Sequence, residues 1–256
     1  MKKVKNSKYI QIVLLFWLSF SALNAQDETE NPTEAVSYKP IDFNLQVKNM
    51  HLWRGLRVTD APMTGALLHY TSKNGKFDTG FWGGAGFNGD YTEVDYYISY
   101  ATHGFSIALW DINNYSDFPD AEVFDYDRST TSHFVDLTLA YTFQKIPLKT
   151  SWSTILLGRD TYVADGGELE NAFTNYVELS YNIFKKKHSS FGVSIAAAFS
   201  FVNDAHFYGD KVLNNFGIIY SRDVKVYQDI YLPVSATALW NTDQKFASIQ
   251  VAIDLF

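Results

Sequence analysis

Charged side chains recur at alternate positions along several stretches of this sequence, and most of them are carboxylates. They are Asp42, Lys48, Glu93, Asp95, Asp136, Lys149, Glu178 and Asp254. If these positions face one polar space, the excess of carboxylates would enrich cations in a narrow aqueous channel. The alternative is that they are solvated or paired charges with no role in transport, and the sequence leaves both interpretations open.

A short aromatic and basic segment offers a second kind of chemistry. It contains Trp53, Arg54 and Arg57. Guanidinium groups bind phosphates and carboxylates bidentately, so the two arginines could form an external constriction or contact lipopolysaccharide phosphates. The simpler interpretation, which we favour, places them at a membrane interface beside Trp53, with their aliphatic stems against apolar surface.

The nearest candidates for lipid hydrolysis or acyl transfer are Ser132, His133 and Asp136. Neighbouring residues of a strand point to opposite faces, so Ser132 and His133 cannot pair directly. The chain has no cysteine, which excludes thiolate catalysis, disulfides and cysteine metal sites. No metal-ligand spacing, phosphate loop or nucleic-acid motif is present. We therefore predict that the protein is not an enzyme and has no metal site and no cofactor.

The elements that position these residues are strands. Apolar residues alternate with polar ones, as in Ile41, Phe43, Leu45 and Val47, which is typical of a strand with one apolar and one polar face. We predict about twelve strands, near 41–53, 61–71, 77–87, 91–101, 105–115, 133–143, 148–157, 174–184, 190–201, 214–221, 228–240 and 246–256. Most have about ten residues, enough to cross a bilayer at a tilt. The pattern does not assign the facing of 61–71, 77–87 and 105–115.

The connections between these strands alternate in length. Short turns are predicted at 72–76, 102–104, 144–147, 185–189 and 222–227, and long loops include 113–132, 158–173 and 202–213. Short periplasmic turns and long external loops are typical of outer-membrane barrels. The sequence therefore predicts an all-β fold, a transmembrane antiparallel β-barrel of about twelve strands over 41–256. The alternative is a water-soluble β-sandwich with its aromatic residues in the core.

The N-terminal segment predicts export. A basic start, an apolar run too short to span a bilayer and small residues near Ala25 are typical of a signal peptide over 1–25. A retained anchor helix is the alternative. Residues 26–40 are interpreted as a periplasmic tail. Removing 1–25 takes away four lysines and moves the formal charge from −7 to −11, which argues against nucleic acid as a partner.

Residues 51–115 resemble a family of porins from Gram-negative outer membranes, sometimes labelled TorF. The similarity rests on Leu52-Trp53-Arg54-Gly55-Leu56, Asp60-Ala61-Pro62, Gly65, Gly80-Phe81-Trp82-Gly83-Gly84 and Glu93-Val94-Asp95-Tyr96-Tyr97. It implies an outer-membrane location, with membrane lipid, lipopolysaccharide and the barrel-insertion machinery as partners. The chain also ends in Phe256, as many such barrels end in an aromatic residue.

These observations together predict a porin or diffusion channel for small solutes, with a preference for cations. The second hypothesis is a non-conducting barrel for adhesion or envelope structure, whose working surface is formed by loops 113–132 and 158–173. A lipid-modifying enzyme is the third. The sequence does not determine the oligomeric state, or whether the lumen is open.

Overall fold

The computed structural model describes residues 38–255. The predicted signal peptide, most of the predicted tail and Phe256 lie outside these residues. The strands are β1 Ile41–Lys48, β2 His51–Trp53, β3 Leu56–Thr59, β4 Met63–Thr71, β5 Phe77–Gly86, β6 Thr92–Thr102, β7 Phe105–Asn114, β8 His133–Thr142, β9 Leu148–Gly158, β10 Thr161–Val163, β11 Leu169–Asn171, β12 Asn175–Lys186, β13 Ser189–Phe199, β14 Leu213–Tyr227, β15 Ile230–Asn241 and β16 Phe246–Asp254. Within residues 38–255, no helix is long and apolar enough to cross a membrane.

Twelve of these strands form one closed antiparallel barrel. Its order is β1-β16-β15-β14-β13-β12-β9-β8-β7-β6-β5-β4. β1 closes the cylinder because it pairs with β16 through Val47 and Ile253, and with β4 through Ile41 and Tyr70. The prediction of an all-β, twelve-stranded barrel is confirmed. The two remaining pairs, β2–β3 and β10–β11, are small separate hairpins that are not part of the barrel wall.

All the long connections lie at one end of the barrel, together with two short ones, 87–91 and 242–245. The short-turn end carries 72–76, 103–104, 143–147, 187–188 and 228–229, and the long-connection end carries 49–62, 87–91, 115–132, 159–174, 200–212 and 242–245. Because each barrel strand pairs antiparallel with the next, successive connections alternate between the two ends.

Two predicted boundaries are wrong. Residues 222–227 do not form a turn, because they continue β14, which pairs with β15 through Val224 and Leu232 and ends at Tyr227 opposite Ile230. The first strand ends at Lys48 rather than near Trp53, because residues 51–59 turn back on themselves as the β2–β3 hairpin. The first long connection is therefore 49–62, longer than the sequence pattern indicates.

The outer surface of the barrel wall is apolar. Its exposed large side chains include Phe43, Leu68, Tyr70, Phe81, Val94, Ile98, Tyr100, Ile107, Leu109, Leu179, Tyr181, Ile195, Ile218, Trp240, Ile249 and Val251. Residues directly opposite each other across a pair lie on the same face. In two of the strands left unassigned, this register places Leu68 and Phe81 outside, and it leaves Trp82 on the inner face.

The aromatic residues near the strand ends divide between the two faces. Tyr70, Tyr100, Tyr181 and Trp240 lie on the outer surface, as expected for rings at a membrane interface. Trp110 instead lies inside, stacked on Tyr97 with ring centroids 4.2 Å apart. Position near a strand end therefore does not decide whether a ring meets lipid, because strand phase decides the facing.

Adjacent residues of β12 provide a test of this facing. We expect Leu179→Arg to destabilise the barrel by about 2–4 kcal/mol, because a charge near the bilayer midplane loses its hydration. Glu178→Arg should cost much less, since Glu178 lies on the opposite face beside Ser180. The measurement is the free energy of unfolding of both variants in lipid vesicles. Equal losses would contradict the facing.

Candidate functional site

The β2–β3 hairpin folds into the barrel lumen and is closed by a two-residue turn. Arg54 and Gly55 both have positive φ, 44° and 86°, as a type I′ turn requires. A side chain on Gly55 would collide with Asn214, so this position needs glycine for space as well as for conformation. The Gly55 carbonyl accepts a 2.9 Å hydrogen bond from the Asn241 side chain, which ties the tip of the hairpin to β15.

Arg54 forms the central polar contact of the hairpin. Its Nη1 and Nη2 donate to the two carboxylate oxygens of Asp136 at 2.6 and 2.7 Å. They also donate to the Tyr208 hydroxyl and the Thr138 hydroxyl, each at 3.0 Å. The Asp136 side chain has no exposed surface. A non-glycine residue with positive φ is uncommon, and this bidentate pair offsets the conformational cost.

This contact overturns the favoured interpretation of Trp53 and Arg54. Neither residue lies at a membrane interface, because the hairpin turns inward and Trp53 packs between Phe134 and Tyr208, with ring centroids 5.7 and 5.6 Å away. The guanidinium of Arg54 lies 4.7 Å from the centroid of the Trp53 ring. The external constriction suggested for the two arginines stays a prediction.

Apolar packing fills much of the lumen around the hairpin. Two buried clusters meet it, one of Tyr176, Ala196, Ala198 and Tyr208 and the other of Ile112, Phe134 and Ile155. Trp53 and Phe207 pack against both clusters. Phe207 and Tyr208 belong to the connection 200–212, so a second connection also enters the barrel. The long-connection end of the lumen is therefore narrowed by chain from two connections.

The first residue of the hairpin, His51, packs against the ring of Trp82 on the barrel wall. His51 stacks on Trp82 with centroids 5.6 Å apart, and Lys48 Nζ lies 5.9 Å above the same ring. Trp82 lies flat against the wall because Gly65 and Gly84 present no side chain beneath it. Burial, together with the nearby charge of Lys48, lowers the pKa of His51 to about 3. His51 is therefore neutral at neutral pH and stacks without bringing a charge.

A cavity of about 530 Å³ remains between the hairpin and the wall. Its aromatic lining includes Trp53, Trp82, Trp110, Phe134 and Phe207, and its charged lining is Lys48, Arg54, Arg57, Glu93, Asp95, Asp117, Asp136 and Arg159. Four of these charges are positive and four are negative. The hairpin supplies two of the cations, so the carboxylate excess expected from the strand pattern does not hold in this cavity.

Glu93 and Asp95 form the acidic side of the cavity. They are two residues apart on β6 and share its inner face, with 8% and 5% of their surface exposed. Glu93 accepts a 2.7 Å hydrogen bond from the Asn114 side chain, and Asp95 accepts one of 3.1 Å from the Asn113 backbone. Among the described residues, neither forms an ion pair with an Arg or Lys side chain.

Arg159 lies on the same cavity, directly after β9. Its guanidinium carbon is 5.2 Å from the Phe134 ring centroid, 5.7 Å from that of Phe207 and 5.8 Å from that of Phe118. Within residues 38–255 its buried Nε has no hydrogen-bond partner, and its guanidinium forms no ion pair. Burial lowers the pKa of Arg159, and the charges of nearby carboxylates, Glu93 first, oppose that shift.

The remaining predicted residues lie away from this cavity, except Arg57. Arg57 lines the cavity with its guanidinium 5.2 Å from the Phe246 ring centroid. Asp254 accepts a 2.6 Å hydrogen bond from Gln46. Glu178 accepts one of 2.7 Å from Ser180. Asp42 is exposed near the start of β1.

Lys149, Asp136 and Glu178 do not share one level of the lumen. Lys149 pairs with Thr142 near the short-turn end, whereas Asp136 pairs with Ile155. Six residues of β9 separate these levels, or about 20 Å along the strand. The charge of Asp136 is also matched by Arg54. These three charges therefore do not form one patch on the lumen wall.

The three candidates for acyl chemistry belong to separate networks. His133 has both ring nitrogens engaged, Nδ1 with Asp111 at 2.7 Å and Nε2 with the Val123 carbonyl at 2.8 Å. The Ser132 hydroxyl donates to the Asn113 side chain, and Asp136 faces Arg54 in the lumen. Among residues 38–255, no group of three or more His, Asp or Glu could hold a metal ion.

Sequence reasoning missed several cavity residues, among them Trp82, Arg159 and Phe207. Trp82 stands among glycines, and that spacing was a usable signal for a ring lying flat on a wall. Arg159 and Phe207 gave no such signal, because their relation to the cavity depends on how two long connections fold.

No protein-family model and no curated protein matches this sequence, so the TorF-like resemblance stays a prediction. Among solved structures, the chain is similar to the NanC porin, with 8% identity over 83% of this chain and 98% of that one, at a TM-score of 0.48. It is also similar to the KdgM porin in complex with disordered oligogalacturonate, with 8% identity over 84% and 96% and a TM-score of 0.44. A third structure is Wzi of Escherichia coli, described as a carbohydrate-binding β-barrel involved in group 1 capsule assembly, with 9% identity over 84% and 56% and a TM-score of 0.35.

Proposed function

We propose that this protein is an outer-membrane porin that passes small solutes through a lumen constricted by the β2–β3 hairpin. The observation that carries the proposal is a charged cavity inside a closed barrel whose outer surface is apolar. A closed barrel leaves no unpaired strand edge in hydrocarbon, and an apolar outer face with a polar interior suits a membrane-spanning channel.

The location follows from the same contrast between the two faces. Side chains such as Phe81, Ile98 and Ile249 leave more than half of their surface exposed, and a soluble monomer rarely exposes a large contiguous apolar patch. The signal peptide expected over 1–25 agrees with export. Lipopolysaccharide and the insertion machinery remain proposed partners, although Arg54 is not available to bind lipopolysaccharide because Asp136 occupies its guanidinium.

A non-conducting barrel is the second candidate. It is favoured by the apolar clusters that Trp53, Phe207 and Tyr208 form within the lumen. The third candidate, a lipid-modifying enzyme, would need Ser132, His133 and Asp136 to act together. They belong to separate hydrogen-bond networks, so no contact among the described residues favours that function.

The location and the channel are tested together. We expect the mature protein to fractionate with the outer membrane, to migrate differently on gels before and after heating, and to produce discrete current steps in planar bilayers. An empty-detergent preparation and a heat-unfolded sample serve as controls. Recovery with soluble periplasmic proteins would contradict the location, and a stable barrel without current would favour the non-conducting candidate.

The constriction can be released by mutation. We expect conductance to rise when residues 51–59 are replaced by a short glycine–serine connection, because the hairpin then leaves the lumen. Shortening the β10–β11 hairpin, which does not line the cavity, is the matched control and should leave conductance unchanged. The double variant Arg54→Ala with Asp136→Ala should give a smaller rise, since Trp53 still packs inside.

The single variant Arg54→Ala separates the ion pair from the packing. It should lower the free energy of unfolding by about 3–5 kcal/mol, because it leaves the buried charge of Asp136 without a partner. Unchanged conductance after hairpin replacement would contradict the constriction.

Cation preference is proposed for the part of the lumen toward the short-turn end. The charged side chains named there are three carboxylates and one amine: Asp42, Glu178, Asp254 and Lys149. Asp78 adds a further carboxylate, which accepts a 2.9 Å hydrogen bond from His69. The cavity near the hairpin has equal numbers of positive and negative side chains, so it should not favour cations over anions.

We expect Asp42→Asn combined with Glu178→Gln to lower the cation-to-anion permeability ratio. The effect should be largest at 0.01 M salt, where the Debye length is about 30 Å, and should fade near 1 M, where it is about 3 Å. Reversal potentials across a salt gradient provide the measurement. Asp90→Asn, on the exposed connection 87–91, is the control. An unchanged reversal potential in the double variant would contradict this assignment.

A further inference from the structure

We propose that the cavity between the β2–β3 hairpin and the barrel wall binds a small zwitterion of the amino-acid type, with its carboxylate on Arg159 and its ammonium group toward Glu93 and Asp95. This inference deepens the proposed function and rests on it only in that the solute must enter the lumen. The cavity of about 530 Å³ is within the range of sites that enclose small ligands.

The anionic end of the ligand is indicated by Arg159. A buried guanidinium nitrogen without an acceptor is costly, and three aromatic rings hold the group in place. The planar fork of a guanidinium matches a carboxylate bidentately. Of the other arginines that line the cavity, Arg54 already uses its fork on Asp136, and Arg57 is exposed beside Phe246. Among residues 38–255, Arg159 is therefore the arginine of this cavity whose buried Nε has no acceptor.

The cationic end is indicated by Glu93 and Asp95. Two carboxylates on one face of β6 repel each other, and a cation between them and the solvent relieves that repulsion. A purely anionic solute would meet Glu93, Asp95 and Asp117 beside Arg159, and a purely cationic one would meet Lys48 and Arg159. A zwitterion presents each charge to its opposite, so it suits the separated charges better than either ion.

The apolar part of the ligand has surfaces to contact. Trp82 and Trp110 line the cavity, and both rings are held by stacking, on His51 and on Tyr97. Such rigid rings bind an apolar side chain with little loss of conformational freedom. We therefore expect amino acids with an aromatic side chain to bind better than glycine.

The test is calorimetric titration of the full folded protein in detergent with L-phenylalanine, N-acetyl-L-phenylalanine and L-phenylalanine methyl ester. These probes carry both charges, the carboxylate alone and the ammonium alone. We expect the zwitterion to bind about tenfold or more tightly than either derivative, the loss expected for one hydrogen bond to a charged group. Equal binding of the three, or no binding of L-phenylalanine, would overturn the proposal.

Two variants assign the ends of the ligand. Arg159→Met keeps a long apolar stem against the three rings and should weaken L-phenylalanine and the N-acetyl derivative, but not the ester. Glu93→Gln should weaken L-phenylalanine and the ester, but not the N-acetyl derivative. Arg128→Met and Glu170→Gln, on exposed positions outside the cavity, are the matched controls.

The probe series on the unaltered protein keeps the proposal testable if a variant fails to fold. Variants that affect all three probes equally would overturn the assignment of the two ends. Because calorimetry needs no current, binding without conductance would refute the porin and support the site. Conductance without binding would support the porin and refute the binding site.

Discussion

The buried pair of Arg54 and Asp136 is the interaction on which the interior of this barrel depends. Its desolvation is costly, and bidentate geometry with two further hydroxyl contacts is what such a pair needs to be stable. Because the pair joins the tip of the first long connection to β8, it places a hairpin across a lumen that the strand pattern alone would leave polar and empty. That position determines how the aromatic clusters pack, how His51 stacks on Trp82 and how large the cavity is.

The barrel itself could be predicted from the sequence because its determinants are local. A period of two, turn residues between strands and alternating connection lengths each depend on a few neighbouring positions. The failures at 222–227 and 51–53 have a common cause. Residues that alternate correctly can extend a strand beyond the barrel, or form a separate hairpin, and only their pairing partners distinguish these outcomes.

The site was not predictable in the same way, since its contacts join distant parts of the chain. Arg54 meets Asp136 across 82 positions and Tyr208 across 154. Period-two reasoning assigns a strand residue to one face, but it assigns nothing to a residue at the tip of a hairpin. A charge balance counted from strands alone therefore omitted Arg54, Arg57 and Arg159, and the carboxylate excess expected for the whole lumen does not apply to the cavity.

The long separation between Arg54 and its partners also constrains the order of assembly. The hairpin lies near the start of the barrel sequence, and its two-residue turn closes with little loss of entropy. Its guanidinium, however, has no carboxylate acceptor until β8 is present, and its contact with Tyr208 also waits for connection 200–212. Contacts of such sequence separation form late, because the intervening chain must first be ordered. The seam that closes the cylinder joins residues still further apart, Val47 and Ile253, so a segment that is synthesised among the first is enclosed and fixed in place only late in maturation.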